Sequence, residues 1–235
     1  MKDLQALVIG CSKGLGRAMV LLLKNRGYRV TGVSRTSFSE LDEELRNSLN
    51  QYYQLNLADR EAMNDFLSQS MEIDCLVLNA CSRIFRDFST FSDSEILKIW
   101  DSDFTNQVRI VSACIPYMKR ENRGQIIFIS SRSAVLSYST GSLYCSVKSA
   151  WRSFYFSLIK EFKHTGMRFF LFVPDAFSNG QGKELPNHRM VIRRLNLMID
   201  NLNHGKSSRV FLALSFRSRI QLMLNRILFF LRHAF

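Results

Sequence analysis

The chain has 235 residues, 46% of them hydrophobic, and a formal net charge of +12. That composition excludes a disordered polyelectrolyte and suits one domain with a sizeable core. So basic a balance calls for an anionic partner such as nucleic acid, a phosphorylated cofactor or a membrane surface.

Leu4 to Ile9 is a short apolar run suited to a strand buried on both faces. The glycine turn Gly10-Cys11-Ser12-Lys13-Gly14-Leu15-Gly16 follows, then helical periodicity from Arg17 to Asn25. Strand, glycine turn and helix make the context of a dinucleotide pyrophosphate site: glycines let backbone N–H groups approach phosphate, and the helix N-terminus favours the anion. Tyr28 to Val33 reads as a second strand, ending in Ser34-Arg35-Thr36. A carboxylate there would hold ribose hydroxyls and select NAD; Arg35, joined by Lys13, suits a 2′-phosphate and so NADP(H).

Ser39 to Asn50 reads as one helix, Tyr52 to Leu55 as a third strand followed by Asn56 and Leu57, and Arg60 to Met71 as a helix. Asp74 to Leu78 is a strong apolar strand ending in Asn79-Ala80-Cys81. One or two long helices span Ser92 to Met118, and Gly124 to Ser130 is the fifth strand. Tyr144 to Lys163 is helical, Met167 to Val173 a sixth strand, Arg189 to Leu202 a helix and Val210 to Leu214 a last strand. This alternation predicts an α/β fold, a doubly wound parallel sheet of Rossmann type with about seven strands and helices on both faces. Ligands of such sheets bind at the carboxyl ends of the strands, where Gly10, Ser34, Asn79, Ser131 and Pro174 fall.

Tyr144 and Lys148 stand four residues apart, on one face of the predicted helix, and Ser131 lies thirteen residues before the tyrosine. A phenol beside an ammonium is easier to deprotonate, so it can exchange a proton with a carbonyl or alcohol oxygen near neutral pH.

Taken in order, the glycine turn Gly10 to Gly16, Asn79-Ala80, Ser131, and Tyr144 with Lys148 resemble the short-chain dehydrogenase/reductase family, over about Ala6 to Asn179. The resemblance implies hydride transfer between a carbonyl–alcohol pair and NADP(H). It makes Tyr144 the general acid in reduction and base in oxidation. Lys148 would bind the nicotinamide ribose and lower the tyrosine's pKa, and Ser131 would hydrogen-bond the substrate oxygen. Cofactor contacts are implied at Gly10, Ser12, Lys13, Gly14, Leu15, Gly16, Ser34, Arg35, Asn56, Leu57, Asn79, Ala80 and Pro174. The family's asparagine that holds a water in the proton relay is Asp103 here, with Asn106 as a substitute out of register. Its aspartate near the adenine is Asn56, its Pro-Gly is Pro174-Asp175, and the threonine near the carboxamide is Asn179. The alternative to an enzyme is a non-catalytic NADP(H)-binding sensor or scaffold. From their positions, Phe85, Phe88, Leu136, Tyr138 and Phe177 are expected to line a pocket for a bulky or apolar carbonyl.

Ala176 to Leu185 is a polar, glycine-containing loop expected to cover the substrate. From Arg193 to Phe235 eight Lys and Arg face Asp200 alone. Residues 1–217 are expected to form a single domain. In 218–235, Ile220, Met223, Leu224, Ile227, Leu228 and Leu231 recur at helical spacing among Arg217, Arg219, Arg226 and Arg232. That is a basic amphipathic helix, packed on protein or lying peripherally on the inner face of a membrane. Apolar surface at Ile110 to Met118 and Trp151 to Ile159 suits a homodimer or homotetramer, or plain core. The five cysteines form no C-x-x-C pair, which suits a reducing compartment, and MKDLQALVIG reads directly into a strand without the pattern of a signal peptide, so a cytoplasmic protein is expected. The four histidines lack metal-ligand spacing, so no metal is expected, and no motif supports nucleic-acid binding.

Overall fold

The computed structural model describes residues 3–174, 188–204 and 209–213. Its strands are β1 (Gln5–Ile9), β2 (Arg29–Ser34), β3 (Gln51–Gln54), β4 (Cys75–Leu78), β5 (Gly124–Ile129), β6 (Met167–Pro174) and β7 (Arg209–Ala213). They form one parallel seven-stranded sheet in the order β3-β2-β1-β4-β5-β6-β7. The chain winds outward from β1 to β3, returns to β4 beside β1, and winds outward the other way. The order therefore reverses between β1 and β4, and a crevice opens there at the strands' carboxyl ends.

Seven α-helices supply the crossovers: α1 (Gly14–Lys24), α2 (Glu43–Ser48), α3 (Arg60–Leu67), α4 (Asp93–Trp100), α5 (Asn106–Arg120), α6 (Ser142–Glu161) and α7 (His188–His204). The strands divide their side chains with period two. Leu7, Leu76, Ile126, Phe128 and Phe169 pack with α3, α5 and α6 on one face. Ala6, Val8, Val77, Ile127 and Phe170 pack with α1, Leu45 of α2 and α7 on the other. That is why the central strands read as unbroken apolar runs. The edge strand β3, sequence QYYQ, is half exposed and correspondingly polar.

Two predicted helices differ in ways that matter. The stretch 39–50 is not one helix: a short turn at Phe38–Glu40 precedes α2, because Asp42 accepts from Leu45 N at 3.0 Å and restarts the helix there. The stretch 92–118 is α4 and α5 joined by a widened π-turn, Asp101–Thr105. The Trp151 indole N–H donates to the carbonyl of Asp103 at 2.8 Å, pinning that turn against α6. Such single-turn widenings re-aim side chains toward functional sites.

The apolar residues of α5 and α6 are largely core. Ile110, Val111, Cys114, Trp151, Tyr155 and Leu158 are buried, and Phe156 is exposed. No helix among the described residues is long and apolar enough to cross a membrane, and no group of His, Cys, Asp and Glu among them could hold a metal ion. Asp175, Phe177, Asn179, the 176–185 loop and the 218–235 helix lie outside the described residues.

Candidate active site

A cavity of about 690 Å³ opens at the reversal point and takes its walls from the segments that follow β1 to β6. At one end is the glycine turn. Gly10 has φ +81°, a conformation glycine adopts freely, and Asn79 Nδ2 donates to its carbonyl at 2.7 Å. A Cβ on Gly10 would come within 2.7 Å of the Ala80 backbone, and one on Gly16 within 1.9 Å of Gly10 O. Gly10 thus keeps the β1 and β4 ends in contact, and Gly16 seats α1 on the turn. Gly16 itself does not line the cavity; Gly10, Ser12, Lys13, Gly14 and Leu15 do. No side chain caps α1, so its first N–H groups remain available to an anion. A cradle with no Cβ in it, opening on uncapped N–H donors, fits a dinucleotide pyrophosphate.

The end of β2 forms the next part of the wall, with Ser34, Arg35 and Thr36. Ser34 Oγ lies 2.7 Å from Tyr52 OH and accepts from Thr36 N at 3.2 Å, while Tyr52 OH donates to the Thr36 carbonyl. The serine hydroxyl therefore shapes the turn, and the exposed cations Lys13 and Arg35 are left to face a ligand. Arg17, the next cation along α1, is committed elsewhere, to Asp42 at 2.7 Å and Glu44 at 2.6 Å. Asn56 and Leu57 line the cavity, and Asn56 Oδ1 accepts from Ala58 N at 3.1 Å. An amide oxygen has a second lone pair, so this bond leaves capacity for a ligand donor.

At the opposite end stand Ser131, Tyr144 and Lys148, with Ala80 and Pro174 also on the wall. Ser131 caps a short turn, Arg132–Ala134, and its hydroxyl accepts from Ser133 N at 3.2 Å and donates to Ser133 Oγ at 3.1 Å. Tyr144 lies in the first turn of α6, its ring 5.3 Å from that of Phe85. Lys148, one turn later, is 4% exposed and donates to the carbonyl of Ile129 at 2.9 Å. Its Nζ lies 5.8 Å from the centre of the Tyr144 ring. Burial works against the Lys148 charge, but Cys81, Tyr144 and Asp103 together outweigh it, and the pKa stands above the ordinary lysine value.

Asp103 lines the same cavity and is 3% exposed. It is not a free acceptor for a water. Oδ2 accepts from Ser82 N at 2.6 Å and from the Cys81 thiol at 3.4 Å; Oδ1 accepts from Ser82 Oγ at 3.1 Å and Ser102 Oγ at 2.7 Å. Asn106 points elsewhere, donating to the Leu57 carbonyl at 2.6 Å and accepting from Arg109 at 2.9 Å, so it is no substitute for Asp103.

The expected apolar pocket needs correction. Phe85 and Tyr138 do line the cavity, but Phe88 is 55% exposed outside it and Leu136 is packed in the interior. Polar groups take their place: Ser130, Ser133 and Arg132 after β5, and Ser82 and Arg83 after β4. The buried hydroxyls of Ser130 and Tyr138 have no hydrogen-bond partner among the described residues. Ser133 and Cys81 escaped the sequence reading. Ser133 stood two residues from Ser131 in the run Ser130-Ser131-Arg132-Ser133, a visible signal. Cys81 looked like one more buried thiol.

A family model described as short chain dehydrogenase matches residues 5–189. Among curated proteins, the chain is 25% identical over 180 residues to a 3-ketodihydrosphingosine reductase from Bacteroides thetaiotaomicron, covering 74% of this chain and 64% of the relative. It is 32% identical over 152 residues to L-xylulose reductase from Mus musculus, covering 62% of this chain and 60% of the relative. The chain thus spans less than two thirds of the length of both. Among solved structures, the closed form of serine dehydrogenase complexed with NADP+ superimposes with a TM-score of 0.66 at 25% identity, covering 74% of this chain and 73% of that one.

Proposed function

The chain belongs to the short-chain dehydrogenase family of oxidoreductases, and from that premise we propose that it is an NADPH-dependent carbonyl reductase, run in reverse as an alcohol dehydrogenase. One observation carries the reading. Ser131 on the loop after β5 and Tyr144 with Lys148 on α6 meet on the wall of the cavity that also holds the glycine turn.

The residues take the following roles. The uncapped N-terminus of α1 and the backbone of Gly10 to Leu15 would hold the pyrophosphate, and Lys13 with Arg35 a 2′-phosphate. Bound NADPH supplies the hydride. The Ser131 hydroxyl, turned from Ser133 Oγ, would donate to the carbonyl oxygen and stabilise the charge that grows on it. Tyr144 donates its phenolic proton to that oxygen as the alcohol forms. Lys148 would bind ribose hydroxyls and favours the resulting phenolate. The preference for NADPH is supported by the two cations and by the NADP+ of the serine dehydrogenase complex. The reductive direction is supported by the names of the two curated relatives, both reductases.

The wider readings belong to the same proposal. Five free cysteines, four of them buried, suit a reducing compartment such as the cytoplasm. Phe156 on α6, 40% exposed, is apolar surface that a homodimer or homotetramer could cover; light scattering that reports a monomer would remove that reading. Residues 218–235 are proposed to form a basic amphipathic helix that packs on protein or meets anionic membranes; co-sedimentation with anionic vesicles that is lost on deleting them supports the second, and no co-sedimentation leaves the first.

The test is NADPH oxidation by the purified protein across ketones, aldehydes and acyl-thioester-linked carbonyls, with Tyr144→Phe alongside. Turnover that the variant loses supports the reductase. Turnover that survives in the variant refutes the role of Tyr144.

A further inference from the structure

Asp103 is the one acid on the cavity wall among the described residues. Four donors saturate its two oxygens. The segment that carries it is locked as well: Gln107 Nε2 donates to Ala80 O at 2.8 Å and to Ser102 O at 3.0 Å, tying the end of β4 to the π-turn. Lys148, a buried ammonium, lines the same wall and feels the charge of this buried carboxylate, and burying either charge alone would be costly. Between them stands Cys81. Its S–H donates to Asp103 Oδ2, and its sulfur interacts with the Lys148 side chain.

We propose that Asp103 is the buried counter-charge of Lys148, with the Cys81 thiol as the bridge, and that the pair holds the Tyr144 proton in place to higher pH, biasing the site toward carbonyl reduction. The inference rests on the reading of Tyr144 as the proton donor. An ammonium beside a phenol favours the phenolate. A carboxylate behind that ammonium offsets part of its field, where a neutral amide would not. Reduction needs the phenol and oxidation the phenolate, so the carboxylate favours the first. Burial, then the neighbouring Asp103, push the Cys81 thiol up to about 12 against the lowering effect of Lys148, so it remains an S–H donor throughout the neutral range. The other charged groups on the wall are Arg83 and Arg132, on the loops flanking Tyr144, and Lys13 and Arg35 at the far end. All four are cations, which leaves Asp103 as the negative charge of the described wall. Asp103 is thus a positioning residue that acts through Lys148.

The experiment compares full-length wild type, Asp103→Asn and Cys81→Ala. The ionisation of Tyr144 is read as an ultraviolet difference titration against Tyr144→Phe in each background, which requires no turnover. The pH profiles of reduction and oxidation are measured alongside. Asp103→Asn is expected to move the phenol ionisation down by about 1 pH unit. The alkaline limb of reduction then falls earlier and oxidation rises earlier. Cys81→Ala, which changes no charge and keeps the Ser82 and Ser102 donors, shifts in the same direction by less, and decides the matter should Asp103→Asn not fold. Superimposed titrations, or a shift to higher pH, overturn the proposal. A downward shift in a protein that reduces no carbonyl would sustain the counter-charge and remove the reductase reading together with the bias toward reduction. Turnover without a shift would do the reverse.

Discussion

Replacing Gly16 by alanine puts one methyl group where the fold leaves no room. The added Cβ would stand 1.9 Å from the Gly10 carbonyl oxygen and 2.7 Å from Asn79 Nδ2. Both belong to the bond that ties the β1 turn to the end of β4. No rotamer relieves a clash between Cβ and backbone, so α1 must withdraw from the turn by more than an ångström. Overpacking of this kind costs about 1–3 kcal/mol, read as a melting temperature lower by about 2–4 °C per kcal/mol in a chain of this size. The withdrawal also moves the uncapped N–H groups away from the phosphate cradle, so NADPH affinity falls with stability. Gly27→Ala is the control. That residue has φ +80° with nothing within 4 Å of an added Cβ, so it carries only the strain of a left-handed alanine, about 1 kcal/mol, and leaves binding unchanged. Denaturant titrations and fluorescence titrations with NADPH measure both effects. Wild-type affinity and stability in Gly16→Ala would refute the account of the turn.

Lys13→Ala and Arg35→Ala are each expected to weaken NADPH binding by about 1 kcal/mol, roughly fivefold for exposed cations, without changing NADH binding; equal losses for both cofactors would contradict the 2′-phosphate assignment. The Arg17 guanidinium holds the Asp42 carboxyl down at about 2, below its ordinary 3.8. A carboxyl depressed in the folded state contributes stability above its unfolded pKa and loses it as pH falls toward 2. Asp42 is 45% exposed in that pair, so the loss stays under about 1 kcal/mol. Asp42→Asn should accordingly flatten the acid limb of a stability-versus-pH curve, and an unchanged limb would contradict the pairing. Trp151→Ala removes a ring that packs 4.9 Å from Phe104 and 5.4 Å from Phe128 and frees the π-turn carbonyl. A loss of about 3–5 kcal/mol is expected in chemical denaturation. Tyr144→Phe is expected to lower kcat by about 10²–10⁴-fold with NADPH affinity retained, as steady-state kinetics and a binding titration would report.

The sheet was legible because its central strands are buried on both faces, so that β1, β4 and β5 appear as short unbroken apolar runs between turn residues. The glycine turn was legible because few residues other than glycine fit at positions 10 and 16. Helix ends were less so. The split at Leu41 depends on a side-chain cap from Asp42, and the π-turn at 101–105 on a bond from Trp151, some fifty residues away. Asp103 could be placed by counting back along the chain. What it touches beyond its neighbour Ser102 could not, since Cys81 and Ser82 meet it only once the end of β4 and the π-turn are packed side by side. The pocket guesses at Phe88 and Leu136 failed for the same reason. Position after a strand does not say which way a loop turns, and Phe88 opens a short turn capped by Asp87 that carries it outward.

The central claim is that this site moves a hydride between a nicotinamide and a carbonyl, with Tyr144 giving the proton. The most direct measurement is label transfer: NADPH deuterated at the reactive nicotinamide carbon, incubated with the protein and a carbonyl panel, and the products read by mass spectrometry. The account predicts deuterium on the carbinol carbon of at least one alcohol product, formed about 10²–10⁴-fold more slowly with Tyr144→Phe. Label in no product, from a protein shown to bind NADPH, would contradict it and leave a cofactor-binding module on a dehydrogenase fold.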